Sequence, residues 1–417
     1  MVHIKSFKAL RPDENRAYET AALPYDVFDE DEARREVERS PKSFLRIDRP
    51  ETAFPEGCDM YAPEVYEKAK EILDEDIKEG IYKREKKGCF YVYSLTMDGR
   101  RQTGLAACVS IDDYICGAVK KHENTVREKE EDRVRHISAL EAQTGPIFLL
   151  CKKNERLSEI LKDRALQERL YSFVSDDGIG HELYRISDES LIREITEIFE
   201  RDIPAVYIAD GHHRAASAVR ASLKKRAEEK TRDPGAEYNF FLSVIFPDDE
   251  LKIFDYNRVV KDTGGLKTED ILSRLEGSFD IRETDESRRR PEKKGEIGMY
   301  LSDTGRYFIL SLKPEEAARR AADPVESLDV AVLQDLVLSE LFSITDPRGD
   351  KRVEFVGGIR GADILKEKAD SSGGAAFLMY PTSVDELMRV ADAGLLMPPK
   401  STWFEPKLRS GLLIHEF

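Results

Sequence analysis

The chain has 417 residues, with 66 Lys and Arg against 82 Asp and Glu, for a formal net charge of −16. An acidic chain has no global attraction for a phosphate backbone or an anionic lipid surface, which argues against non-specific nucleic-acid binding. With 40% apolar and 35% charged residues, it reads as a folded, highly soluble protein of two or three domains, large enough to bury a core without disulfides.

The start, Met1-Val2-His3-Ile4-Lys5, has no apolar signal-peptide core. The longest apolar runs, such as Ile147 to Cys151, are too short to span a bilayer. Cys58, Cys89, Cys108, Cys116 and Cys151 form no Cys-x-x-Cys pair and no metal spacing. They read as reduced thiols of a cytoplasmic protein.

In chain order, Val65, Ala69, Ile72, Leu73 and Ile77 predict a helix over Ala62 to Glu79. Phe90 to Leu95 and Arg101 to Ser110 predict a hairpin across Asp98-Gly99. A charged helix is expected over Thr125 to Ala142. Pro146 to Cys151 and Leu183 to Ile186 read as strands, and Ile192 to Glu200 as a helix. Ala205 to Ala209 is a strand running into a helix. Asn239 to Phe246 and Leu251 to Tyr256 are expected to pair around Pro247-Asp248-Asp249-Glu250. Arg282 to Gly295 reads as a surface loop. Val330 to Phe342 is an apolar helix, Ala375 to Tyr380 a strand, and Val384 to Ala393 a helix stopped by Gly394. This order predicts an α+β (mixed α/β) fold with mixed sheets. We place an N-terminal α/β domain at 1–150, a central domain at 151–270 and a C-terminal α/β domain at 271–417.

The richest segment runs Val206-Tyr207-Ile208-Ala209-Asp210-Gly211-His212-His213-Arg214-Ala215. A buried strand ends at Asp210, Gly211 permits a left-handed turn, and a helix begins. Free N–H groups and the helix dipole at such a point make an anion site. Arg214 adds a fork for phosphate. His212 or His213 supplies a proton shuttle near neutral pH. Asp210 is placed to bind a cation, orient a His or cap the helix. Asp-Gly before a helix is often only a cap, but two imidazoles and a guanidinium opposing the dipole favour function. Adjacent helical histidines point apart, so phosphate suits this turn better than a metal.

A second cluster is Lys120-Lys121-His122-Glu123-Asn124-Thr125, followed by Lys129 to Arg133. Helical spacing puts Lys129, Asp132, Arg133 and His136 on one face. The rival reading is a solvated, salt-bridged helix. A third cluster is Met397 to Lys407, where prolines fix the backbone and Lys400, Ser401, Thr402 and Lys407 are candidates for an anion pocket. Tyr25-Asp26 and Tyr256-Asn257-Arg258 are weaker candidates. His3, His181 and His415 read as structural.

These segments together resemble the family known as domain-of-unknown-function family 1015. The resemblance rests on Phe7 to Pro12, Leu23 to Val27, Ser43 to Leu45, His122 to Thr125, Lys129 to Arg133, Gln143 to Pro146, Ala209 to Arg214, Tyr256 to Arg258 and Pro399 to Gly411. Leu23-Pro24 stands where such members show paired prolines. The resemblance implies a cytoplasmic protein associated with serine biosynthesis, and so phosphoserine or a related phosphorylated acid as ligand. Asp210 to Arg214 is also similar to the Gly-x-His-Arg turn of the partition-protein B and sulfiredoxin superfamily, which implies nucleotide phosphates and, in some relatives, free-serine kinase activity.

The leading expectation is a phosphotransferase or phosphatase acting on a small phosphorylated metabolite, with phosphoserine or serine preferred, and with Mg²⁺ and a nucleotide as the cofactors such chemistry uses. In that reading His122, Glu123, Asp132, His212 and His213 are the acid/base group. Asp210, Gly211, Arg214, Arg133, Arg258, Lys400, Ser401, Thr402 and Lys407 bind the ligand, and Asp210 and Glu123 are the metal candidates. There is no Walker A segment and no kinase Gly-rich loop. The rivals are a non-catalytic sensor of a nucleotide or phosphorylated acid and, weakest, a nucleic-acid-binding regulator. A homo-oligomer is compatible with the sequence.

Overall fold

The computed structural model describes residues 1–229 and 233–417. The chain divides into two compact units, the first formed by residues 1–251 and 406–417, the second by 252–405. The fold is α+β with mixed sheets, as expected. All five cysteines are free thiols. Among the described residues no helix is long and apolar enough to cross a membrane.

The first unit is built on a nine-stranded sheet. Its strands are β1 (Ile4–Lys5), β2 (Phe90–Met97), β3 (Arg100–Ser110), β4 (Val119–Lys120), β5 (Ile147–Cys151), β6 (Glu168–Val174), β7 (Gly180–Ile186), β8 (Val206–Asp210) and β9 (Phe240–Pro247). They lie in the order β4-β8-β5-β9-β3-β2-β7-β6, with β1 added beside β3. β8 runs antiparallel to β5 and parallel to β4. The β2–β3 turn has Asp98 and Gly99 both at positive φ, the backbone that an Asp-Gly hairpin demands.

In this unit α1 is Glu30–Arg39, α2 is Pro63–Lys78, α3 is Arg127–Leu140, α4 is Glu155–Lys162, α5 is Glu189–Asp202 and α6 is His212–Glu228. Leu149, Val206 and Ile208 pack against Leu157 of α4, Ile195 of α5 and Ala215 and Val219 of α6. The apolar run of β8 is buried because the sheet covers its edges and α6 its face. α2 and the Leu45–Ile47 turn share a second cluster with Leu140. That cluster holds α3 with its Asp132, Arg133 and His136 inward, whereas Lys129 lies exposed. The solvated-helix reading therefore fits Lys129 and fails for the other three. α3 stops at Glu141, which takes a left-handed φ of 50°.

The expected hairpin of Asn239 to Phe246 with Leu251 to Tyr256 does not form. β9 pairs with β3 and β5, while Ile253–Phe254 pairs with Trp403–Phe404 in the second unit. The Pro247 to Glu250 turn marks the point where the chain leaves the first unit.

The second unit carries a six-stranded antiparallel sheet: β10 (Tyr256–Val260), β11 (Phe279–Thr284), β12 (Glu296–Leu301), β13 (Arg306–Leu312), β14 (Val353–Gly357) and β15 (Ala375–Met379). Its order is β11-β13-β12-β15-β10-β14. The helix Asp363–Ser372, α7, packs Leu365 and Ala369 against Val259 and Ala376. Val384–Asp392 forms α8, opened by a Ser383–Glu386 capping box. The expected Arg282 to Gly295 loop begins inside β11, and only its later part is irregular. Val330 to Phe342 is helical but contains a π-turn at Gln334–Ser339.

Candidate functional site

The site grows from the end of β8. A register shift against β5 falls between Ile208 and Asp210, which still pairs with Phe148 as the last residue of the strand. Gly211 follows with φ +93°. A β-carbon there would lie 3.0 Å from the Arg214 guanidinium, so both the backbone and the space require glycine. α6 starts at His212 without a side-chain cap. Its first N–H groups therefore have no intrahelical acceptor.

Asp210 is bound from two sides. Arg214 Nη2 donates to its Oδ2 at 2.9 Å, and Lys407 Nζ lies 3.5 Å from its Oδ1. Burial opposes ionisation, but Lys407 and Arg214 outweigh it and hold the carboxyl well below its usual range. Arg214 also donates from Nη1 to the Pro146 carbonyl at 2.6 Å. The guanidinium thus ties β8, the turn and the start of β5 together. Its Nε is buried with no partner among the described residues.

The block after β4 folds over the same helix start. The His122 backbone N–H donates to His212 Nε2 at 3.5 Å, which places the His212 proton on Nδ1. That Nδ1 faces Glu123 Oε2 at 3.8 Å. The two rings meet edge to face, 4.5 Å between centroids. Val126 N–H donates to His213 Nε2 at 3.0 Å. Burial pushes His122 down to about 4, against the pull of Asp210. Burial, then His122, pushes His212 well below its ordinary value. Both rings are neutral at pH 7. Two of the clusters found in the sequence, with Lys407 of the third, are therefore brought together in one unit.

Beneath the turn lies a water-sized cavity of about 30 Å³, lined by Tyr25, Asp48, Arg133, His136, Thr144 and Arg214 among others. Arg133 stacks over the Tyr25 ring at 4.1 Å and donates from Nε to Asp132 Oδ2 at 2.7 Å. Tyr66 donates to the other Asp132 oxygen at 2.8 Å. Thr144 donates to Asp48 Oδ1 at 2.7 Å. Asp132 and Arg133 are thus engaged with each other and with the scaffold. Asp48 and Thr144 escaped the sequence reading, because a contact across 96 residues leaves no local signal. The inward face of α3 was the one clue available.

Arg258, Lys400, Ser401 and Thr402 belong to the second unit. Arg258 donates from Nη2 to the Lys400 carbonyl at 3.0 Å and lies 5.3 Å from the centre of the Phe355 ring. Burial pushes it down to about 10. Lys400 takes a left-handed φ of 57° and sets Nζ over the Tyr256 ring at 5.8 Å. Ser401 is buried and donates to the Pro398 carbonyl at 2.6 Å.

Among the described residues no group of three or more His, Cys, Asp or Glu converges on one point. What the fold defines is an α+β protein in which a strand–turn–helix element carries Asp210 to Arg214. The family described as "Protein of unknown function (DUF1015)" matches residues 4–331, and the chain belongs to it. Comparison with curated proteins gives no match. Among solved structures, a free serine kinase in complex with AMP is similar at 16% identity over 73% of this chain and 91% of that one, TM-score 0.36. A conserved hypothetical protein from Pyrococcus furiosus is similar at 16% identity, covering 74% and 94%, TM-score 0.36. C-terminally truncated SbnI from Staphylococcus aureus gives 13% identity, 74% and 87%, TM-score 0.37. These are loose likenesses.

Proposed function

We propose that the Asp210 to Arg214 turn binds the phosphate of a small metabolite or nucleotide, and that the protein is a phosphoryl-transfer or phosphate-hydrolysing enzyme. The observation that carries this reading is the uncapped start of α6 behind a glycine that only glycine can replace, flanked by Lys407. The N–H groups of His212 to Arg214 and the Lys407 ammonium take up charge on the phosphate oxygens. Arg214 acts as a positioning residue, holding Asp210 and the turn. The His212–Glu123 pair moves the proton, with Glu123 the half-exposed member that exchanges it with solvent. Asp210, kept ionised, orients the Lys407 ammonium. His122 and His213 fix the loop over the helix start through Val126 and His212.

A serine or phosphoserine substrate is the preference that the family resemblance implies. Arg258, Lys400, Ser401 and Thr402 are proposed as anion-binding residues of the second unit in their own right. Any Mg²⁺ would arrive on the substrate's own phosphates, and no step above uses it.

The test is turnover of phosphoserine with and without ADP, and of serine with ATP and Mg²⁺, followed by ³¹P NMR alongside thermal melting. Turnover lost in Lys407→Ala and Gly211→Val supports the enzyme. Saturable binding without turnover supports the sensor. No turnover and no ligand-dependent shift with any of these compounds overturns both.

A further inference from the structure

We propose that the first unit holds a second small-molecule site, at the tip of the β6–β7 hairpin, for a zwitterionic ligand of the amino-acid type with an apolar side chain. A cavity of about 310 Å³ opens there, the size of a small-ligand pocket. Its floor is apolar: Ala21, Ala22, Leu23, Phe28 and Leu45. Its rim is charged, and charged in pairs.

Arg39 of α1 donates to Glu36 Oε1 at 2.8 Å and to Asp176 Oδ2 at 2.8 Å. Tyr18 donates to the other Asp176 oxygen at 2.5 Å. Arg409 pairs with Asp177. Lys42 faces Glu79 at 3.5 Å. Each cation of the rim thus has its own carboxylate. A phosphate dianion would have to break such a pair and leave a carboxylate beside itself. A zwitterion can enter one, ammonium on the carboxylate and carboxylate on the guanidinium, with no change in net charge. The floor then takes the side chain.

The Arg39 and Arg409 pairs of the rim differ in a way that suits this task. Arg39 and Asp176 are 58% and 54% exposed, so their pair is weak and exchanges partners at little cost. Arg409 is 6% exposed and fixed in place. It donates to Ser175 Oγ at 3.1 Å and to His181 Nε2 at 3.4 Å, and His181 Nδ1 meets the Tyr93 hydroxyl at 2.8 Å. One face of the rim is preset and the other yields.

The cavity is distinct from the phosphate turn but adjoins it. Ala22 and Ser410 exchange backbone hydrogen bonds of 3.2 and 2.9 Å. Ala22 lines the large cavity, and Ser410 lines the small one beside Arg214. The proposal does not rest on the phosphate reading.

Calorimetric titration of the full chain with L-leucine and L-phenylalanine tests it, with leucinamide and N-acetyl-leucine as one-charge controls and inorganic phosphate as a separate arm. Saturable binding of a zwitterion is expected, weakened about tenfold or more for each one-charge analogue. Leu23→Trp fills the cavity and abolishes it. Asp176→Asn, on the exposed rim, weakens it without unfolding, as thermal melting will show. Absence of zwitterion binding to the wild type, equal binding of the controls, or wild-type binding by folded Leu23→Trp overturns the proposal. Loss of the phosphate response alone, with leucine binding intact, overturns the phosphate reading and leaves this one standing.

Discussion

Arg214 in the first unit, with a side chain 10% exposed, and the buried Arg258 in the second both lie next to motif residues, yet their charges are treated in opposite ways. Arg214 meets a carboxylate, and although burial disfavours its charge, Asp210 and neighbouring acids raise its pKa. Arg258 donates to the carbonyl oxygens of Tyr256, Pro399 and Lys400 beside the Phe355 ring, and burial lowers it. The neutral groups follow the same division. The first unit buries imidazoles: His122 and His136 are pushed down to about 4 and His181 to about 3, by burial in each case. The second unit buries a carboxyl, Asp329, pushed up to about 7 by burial. Arg214 is matched by a carboxylate, whereas Arg258 lies against carbonyl dipoles, and the second unit holds the Asp329 carboxyl up at about 7.

The largest expected effect is therefore a pH response of opposite sign in the two units. A folded-state histidine held near pKa 4 stays neutral while the unfolded chain binds a proton below about 6.5. First-unit stability is complete above pH 6.5 and falls as pH drops towards 4, by on the order of 3 kcal/mol for each such histidine. Asp329 binds its proton in the folded state, so its contribution is complete below the ordinary carboxyl value and is lost as pH rises through about 7. Hydrogen exchange at pH 7 and 5, read separately over β8 and β12, should show protection falling in the first and rising in the second on acidification. Asp329→Asn should remove the second response and leave the first. Parallel changes in both units would break the comparison.

Next in size is Asp210→Ala. It leaves the Arg214 guanidinium without its carboxylate, and because the Asp210 side chain is 31% exposed solvent screening keeps the loss to about 2–3 kcal/mol. Denaturant unfolding followed by exchange over β8 measures it. A loss below about 1 kcal/mol would mean that Pro146 alone satisfies Arg214.

These contrasts also mark what the sequence could convey. The Val206 to Ala218 segment was legible because three local signals agree there: a continuous apolar run, a glycine and a helical face. The Asp98-Gly99 hairpin was legible because both its residues accept positive φ. The Pro247 to Glu250 turn carried the same kind of signal and misled, since turn residues mark a change of direction and not the partner strand. From Lys252 to Tyr256 the expected partner strand belongs to the second unit. Candidate residues were found by type, and their engagements were not. Nothing local says that the second Asp132 oxygen is taken by Tyr66, 66 residues away.

A smaller effect separates the arginines directly. Arg258→Met removes a costly buried cation and, with it, donors to three carbonyls. The two changes oppose each other and leave a net loss of about 1 kcal/mol, well below that of Asp210→Ala. Thermal melting at pH 7 decides it. An equal loss would show that Arg258 is as firmly compensated as Arg214.

The smallest effect on stability is expected at Glu123, and there the comparison becomes functional. Its side chain is 36% exposed, and His212 Nδ1 lies 3.8 Å from its Oε2. Glu123→Gln keeps the shape and removes only the charge, so stability should stay within about 0.5 kcal/mol. If the His212–Glu123 pair moves the proton, the same change should lower turnover of the active substrate by about 100-fold or more, with KM nearly unchanged. A structural role for Glu123 predicts the reverse, a shifted melting point with turnover retained. The two outcomes share no result, so this one substitution decides whether the loop over α6 serves chemistry or only covers it.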